Sequence, residues 1–145
     1  VSASNSFESA VLALIFQNAN IANLGDATGV RGSTTPGTVD VALHSSDPGE
    51  AGTQSTNEIA YTGYARATVA RSSGAWSLTG TAPTQVSNIS AVAFPACTGG
   101  SATATHFSIG YNGTIIVSGA LGASLAISNG ITPSYAAGQL VANCD

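Results

Sequence analysis

The chain contains no lysine and only three arginines, Arg31, Arg66 and Arg71. Seven carboxylates bring the charged fraction to 7%, where ordinary domains have about 25%. Three scattered arginines cannot neutralise a row of phosphates, which argues against nucleic acid as a partner. Nor can they hold the chain to an anionic membrane surface. No apolar run approaches the roughly 20 residues that span a bilayer. The apolar stretch 10–16 follows Glu8 and has no basic residue ahead of it, so it does not read as a secretory signal. A start at Val1 fits simple removal of an initiator methionine. Cys97 and Cys144 are too few for a disulfide framework. They read first as reduced small hydrophobes, with pairing near strand ends as the alternative.

Little charge does not mean disorder here, because 43% of the residues are hydrophobic and β-branched residues are plentiful. At 145 residues the chain is sized for one domain. Area scaling gives a folded surface of roughly 6,800 Å² against about 20,600 Å² unfolded, enough burial for a core without metal or cofactor. The polar surface must come from Ser, Thr, Asn, Gln and Gly. Such a surface suits neutral contacts and packing against other subunits.

The patterning predicts a single β-domain over 1–145, with an N-terminal helix at about 5–20, a linker at about 25–37 and a β-sandwich at about 38–145. In the helix, Asn5 is the expected N-cap, with Glu8 completing a capping-box-like pair. Phe7, Val11, Leu14 and Ile15 fall on one helical face, and Leu12 and Phe16 lie outside it. The helix is therefore apolar around most of its circumference and needs cover on more than one side. Apart from Val30 and Arg31, residues 29–37 are Gly, Ser, Thr and Pro, and read as a connection. Residues 38–44 alternate, with Val39, Val41 and Leu43 on one side and Asp40, Ala42 and His44 on the other, a half-buried strand. Further strands are expected over 64–71, 76–78, 89–94, 104–110, 114–119, 124–128 and 139–142. Asn112-Gly113 is the hairpin signal among them. About eight short strands at this spacing indicate a β-sandwich or jelly-roll-like domain.

Residues 43–66 concentrate the chemistry. They hold Asp47, Glu50 and Glu58 of the seven carboxylates, His44 of the two histidines, and Tyr61 and Tyr64 of the four tyrosines. A histidine with two nearby carboxylates has the makings of a metal or acid–base site. Asp47-Pro48-Gly49, however, is turn chemistry: Asp47 bonds nearby backbone, Pro48 sets φ and Gly49 accepts positive φ. No G-x-S-x-G elbow, zinc spacing or phosphate loop is present. The expectation is no catalytic residue, no metal and no cofactor. His106, inside an alternating strand, reads as a core or interface histidine. Tyr61, Tyr64 and Trp76 read as core, with an exposed sugar- or protein-binding strip as the alternative. Glu58 and Asp40 are the natural partners of Arg66 and Arg71.

Several runs resemble a family of small virion proteins from tailed bacteriophages. The first is Leu43-His44, Asp47-Pro48-Gly49-Glu50 and Gly52-Thr53, followed by Glu58 and the run from Tyr61 through Thr62, Gly63, Tyr64 and Ala65 to Arg66. The second is Phe94-Pro95, Cys97-Thr98-Gly99-Gly100, Thr105-His106-Phe107 and Ile109-Gly110. Ser118-Gly119-Ala120-Leu121, then 127–133, Tyr135, Ala137-Gly138 and Leu140 complete it. Members are often labelled tail fibre proteins, and some are head decoration, or cement, proteins. The resemblance implies a structural virion protein that binds and assembles without catalysis. Its leading form is a cement protein on the capsid exterior, assembled in the host cytoplasm. It would be homotrimeric, with the major capsid protein as partner and no membrane contact. A tail fibre component is the alternative, and a glycan-binding module a third. On this reading Phe7, Val11, Leu12, Leu14, Ile15 and Phe16 are candidates for a subunit interface. Asp47, Glu50, Glu58, Tyr61, Tyr64 and Arg66 are candidates for a capsid- or partner-contact loop.

Overall fold

The computed structural model describes residues 4–21, 32, 35–79 and 84–144. Most of the expected linker at about 25–37 lies outside the described residues. Helix α1 (Asn5–Leu12) runs into a π-helical turn, Ala13–Gln17. The strands are β1 (Thr38–His44), β2 (Ala67–Ala70), β3 (Trp76–Thr79), β4 (Thr84–Asn88) and β5 (Val92–Ala93). Then come β6 (Ser101–Tyr111), β7 (Thr114–Ser128), β8 (Ser134–Tyr135) and β9 (Val141–Cys144). They form sheets ordered β2-β1-β6-β7, β3-β4-β9 and β5-β8. The chain is mainly β with one N-terminal helix, as its patterning predicts. It divides into two compact units. One comprises Val1–Thr38, Ala70–Ala91 and Tyr135–Asp145, the other Val39–Val69 and Val92–Ser134.

In the first unit α1 packs on β4 and β9, and the π-helical turn meets β3. The N-cap is Ser4, not Asn5: Ser4 has extended backbone (φ −80°, ψ 148°), and its Oγ accepts from Phe7 N–H at 3.4 Å. Glu8 thus falls one position too late for a capping box. The buried stripe is also rotated from the expected one. Glu8, Leu12 and Phe16, spaced i, i+4 and i+8, are buried, whereas Phe7 is 46% exposed. Val11, Leu14 and Ile15 are half-buried. Trp76 decides this orientation. It is fully buried, Phe16 meets its ring edge-on at 4.9 Å, and its Nε1–H donates to Ala70 O at 3.0 Å. A large aromatic in the sheet draws the one helical row that can reach it.

The helix ends at Gln17, short of the expected 20, because Asn18 turns left-handed (φ 58°). Arg71 serves its open carbonyl end. Nε donates to Ile15 O at 2.6 Å, and the two terminal nitrogens donate to Leu14 O at 2.8 Å and Pro36 O at 2.9 Å. Arg71 is thus a helix cap instead of a carboxylate partner. The strand expected over 89–94 shrinks to β5, and β4 forms just before it and ends at Asn88. Buried Asn88 turns its side chain outward from the ladder: Oδ1 accepts from Leu140 N–H at 2.9 Å, and Nδ2 donates to Ser90 O and Ala136 O at 2.8 and 2.9 Å.

The second unit is built on the four-stranded sheet. β1 pairs antiparallel with β6, from Asp40↔Gly110 to His44↔His106. β6 and β7 form a hairpin through Asn112 (φ 47°) and Gly113 (φ 83°), the two left-handed residues of a type I′ turn. The two strands expected over 114–119 and 124–128 are one element, β7, yet the expected gap survives within it. Ala104 pairs with Leu125 and His106 with Ala120, so residues 121–124 bulge opposite Thr105. The strand expected over 64–71 shortens to β2, and the last strand lies slightly later, as β9.

Candidate functional site

Residues 43–66 leave the end of β1 and return toward β2, covering the Asp40, Ala42 and His44 side of the sheet. This is why β1 is buried on both faces and not half-buried: Val39, Val41 and Leu43 are buried as expected, and so are Ala42 and His44. The fit needs Gly110. A Cβ there would collide with Thr114 O and lie 2.8 Å from Gln54 Cδ. Gln54 is fully buried over that space, its Nε2–H donating to Asp40 O at 2.9 Å and its backbone N–H to Gly113 O at 2.9 Å.

His44 fastens the loop from below. Its Nδ1 lies 2.8 Å from Thr56 O and its Nε2 2.8 Å from Ser108 Oγ. A carbonyl only accepts, so Nδ1 carries the proton and Nε2 accepts from the serine. Burial holds the imidazole below its ordinary pKa, outweighing the Thr56 bond and the Glu58 charge.

Glu58 pairs with His44 in an isolated bridge and organises the outer layer. Its Oε1 accepts from Arg66 Nε–H at 2.8 Å and Tyr64 OH at 3.0 Å, and its Oε2 accepts from Arg66 at 2.7 Å. Arg66 also donates to Gln54 Oε1 at 3.4 Å and Ser55 Oγ at 3.0 Å. The Tyr64 oxygen in turn accepts from Leu43 N–H at 3.2 Å. Burial raises the Glu58 pKa, but the Arg66 and Tyr64 hydrogen bonds outweigh it and hold the carboxyl below its ordinary value. Burial pushes the Tyr64 phenol well up. This forked arrangement is stronger than a surface pair because little water reaches it.

The remaining expected site residues are not gathered into one centre. Asp47 is exposed and forms the predicted turn, its Oδ1 accepting from Gly49 N–H at 2.8 Å. Glu50 is exposed at the tip. Among the described residues, no group of three His, Cys, Asp or Glu side chains could hold a metal ion. Tyr61 and Trp76 are buried and Tyr64 half-buried, so they offer no exposed aromatic strip. Tyr61 OH donates to Pro95 O at 2.8 Å; its ring meets Tyr64 edge-on, and Tyr64 stacks on Phe94. Leu12 and Phe16 belong to the chain's own core, which removes them from the candidate subunit interface. Phe7, Val11, Leu14 and Ile15 keep exposed surface.

The three resemblance runs meet here. Thr62 and Gly99 bridge: Thr62 N–H donates to Gly99 O and Thr98 N–H to Thr62 O, both at 2.9 Å. Cys97 N–H donates to Ile131 O and Gly130 N–H to Cys97 O, both at 2.8 Å. Cys97 itself is buried and free. Gln54, Thr56, Ser108 and Gly110 are the participants that sequence reading missed. A glycine inside the apolar strand run 104–110 is the signal that marks a close approach.

No helix among the described residues is long and apolar enough to cross a membrane. A loop braced on a charge-poor sheet, in a mainly β chain, gives the structural class, and the family match makes that class a structural protein of a phage virion. The match is to a family model described as podophage GP4 fiber I protein gp80; it covers residues 2–143, and the chain belongs to that family. A search of curated proteins returns no match.

Proposed function

We propose that this chain is a non-enzymatic assembly subunit on the exterior of the virion, built into a fibre and bound to copies of itself. The β6–β7 hairpin carries the reading. From residue 101 to residue 128 it contains no Asp, Glu, Lys or Arg. β7 is the last strand of its sheet, with no strand on its outer edge among the described residues. Proteins that stay monomeric guard such edges with charge, proline, bulges or cover. Here bulges are the guard, and neither charge nor proline is used. Exposed Ser118, Ala120, Ala126 and Ser128 are small and neutral, suited to close contact with a similarly neutral neighbour. The braced loop supplies a rigid second surface through Asp47, Glu50 and their neighbours. The family's description as a fibre protein supports placement in a fibre.

A second reading is a decoration protein on the outer surface of the major capsid shell, homotrimeric and bound to the major capsid protein. What favours it is the lack of any shaft-forming element among the described residues: the α-helix has 8 residues and no heptad repeat is present. Cryo-EM of intact virions separates the two. Density for the chain in a fibre supports the first reading, density on the shell supports the second, and density at neither place removes both.

A further inference from the structure

The chain has two Asn-Gly pairs in turns, Asn112-Gly113 and Asn129-Gly130, and both asparagines are exposed. From sequence they are equivalent candidates for spontaneous deamidation, since glycine leaves the following backbone nitrogen open to attack on the asparagine side chain. The structure separates them. Gly130 N–H donates to Cys97 O at 2.8 Å, and the turn around it is closed by Ile131 N–H to Ser128 O at 3.0 Å and Cys97 N–H to Ile131 O at 2.8 Å. That nitrogen must break a bond inside a braced turn before it can react. At the hairpin tip, no acceptor takes the Gly113 N–H among the described residues; the contact there is made by Gly113 O, which accepts from Gln54 N–H at 2.9 Å.

We propose that Asn112 is a self-modification site, which converts to aspartate and isoaspartate well ahead of Asn129. The Gly113 nitrogen loses its proton to hydroxide and attacks Cγ of Asn112. The new Cγ–N bond closes a succinimide, the Cγ–Nδ2 bond breaks, and ammonia leaves with a proton from water. A second water then opens the ring at either carbonyl. The net change is water in and ammonia out, with no oxidant or reductant. The product is the first carboxylate in residues 101–128. Its isoaspartate form adds a backbone carbon to the type I′ turn and so loosens the Gly113–Gln54 tether that holds the covering loop.

The test is to age the full chain at mildly alkaline pH, digest it, and follow amide-to-acid conversion at each pair by mass spectrometry. A parallel sample is aged in denaturant. Unfolded, the two sites should convert at comparable rates. Folded, Asn129 should lag by several-fold to about tenfold more than it does unfolded, the factor expected for one intact hydrogen bond. A folded ratio equal to the unfolded one overturns the proposal, as does faster conversion of Asn129.

Discussion

Arg66 is the side chain on which the outer layer of the loop depends. Among the described residues it is the only arginine paired with Glu58, and it also reaches Gln54 and Ser55. Arg66→Leu leaves a carboxylate, 17% exposed, with only the Tyr64 hydroxyl. The expected loss is about 2–3 kcal/mol in urea unfolding, and Arg66→Lys should recover part of it because it keeps the charge but loses the fork. Equal stability of all three proteins would show that the cluster is ornamental. The acid response has two stages. The unfolded chain protonates His44 more readily than the folded one, so stability is full above the ordinary value of 6.5 and declines as pH falls below it. Glu58 is also held low in the fold, so its contribution is present above 4.5 and is lost as pH falls through its folded value. Thermal unfolding across this range should show both stages, and His44→Gln should lack the first. An unchanged slope below pH 6.5 in that variant would rule out His44 as the group responsible.

Elements were legible in the sequence where one pattern acted alone. The Asn112-Gly113 turn follows its chemistry because nothing tertiary opposes it, and β1 forms over the expected residues 38–44, although the covering loop buries both of its faces. The helix shows the opposite case. Its composition marks it as apolar all round, but which stripe turns inward depends on Trp76, sixty residues after Phe16, and no local rule carries that information. The same holds for β4 and β5, where a run of β-forming residues is interrupted by the tertiary bonds of Asn88. The site was legible as a loop of turns and as the Glu58–Arg66 pair. Its buried fastening by His44 and Gln54 was not, because polar residues read as exposed until their partners on β6 and in the turn are known. Arg71 gives the test at this scale. Arg71→Ala leaves Leu14 and Ile15 carbonyls without their donor, and the expected loss is about 1–3 kcal/mol, with the helix end fraying first. Hydrogen exchange should therefore speed up at 13–19 before it does so in β3 and β4. Uniform acceleration across the first unit would mean that Arg71 is not a cap.

At the scale of the whole molecule the placement of charge matters more than its amount. The net charge is −4, yet residues 101–128 hold none of it, while residues 43–66 hold three carboxylates and one arginine. A neutral hairpin avoids like-charge repulsion between identical copies, and a charged loop can still set partner choice at the rim. If copies associate through the hairpin, a charge of either sign placed there must be desolvated in the contact. Ser118→Glu and Ser118→Arg should therefore both weaken association, by about tenfold or more, since even a modestly buried unpaired charge costs over 1 kcal/mol. Ser118 is exposed, so the fold itself should lose no more than about 0.5 kcal/mol. Ser73→Glu, at an exposed turn of the other unit, is the control for net charge. Light scattering across a micromolar dilution series reads the result. An effect of Glu but not Arg points to net charge instead of a dry contact. Equal effects at Ser73 and Ser118 move the interface elsewhere, and a wild-type chain that stays monomeric throughout removes self-association from the proposed function while leaving attachment to another virion protein standing.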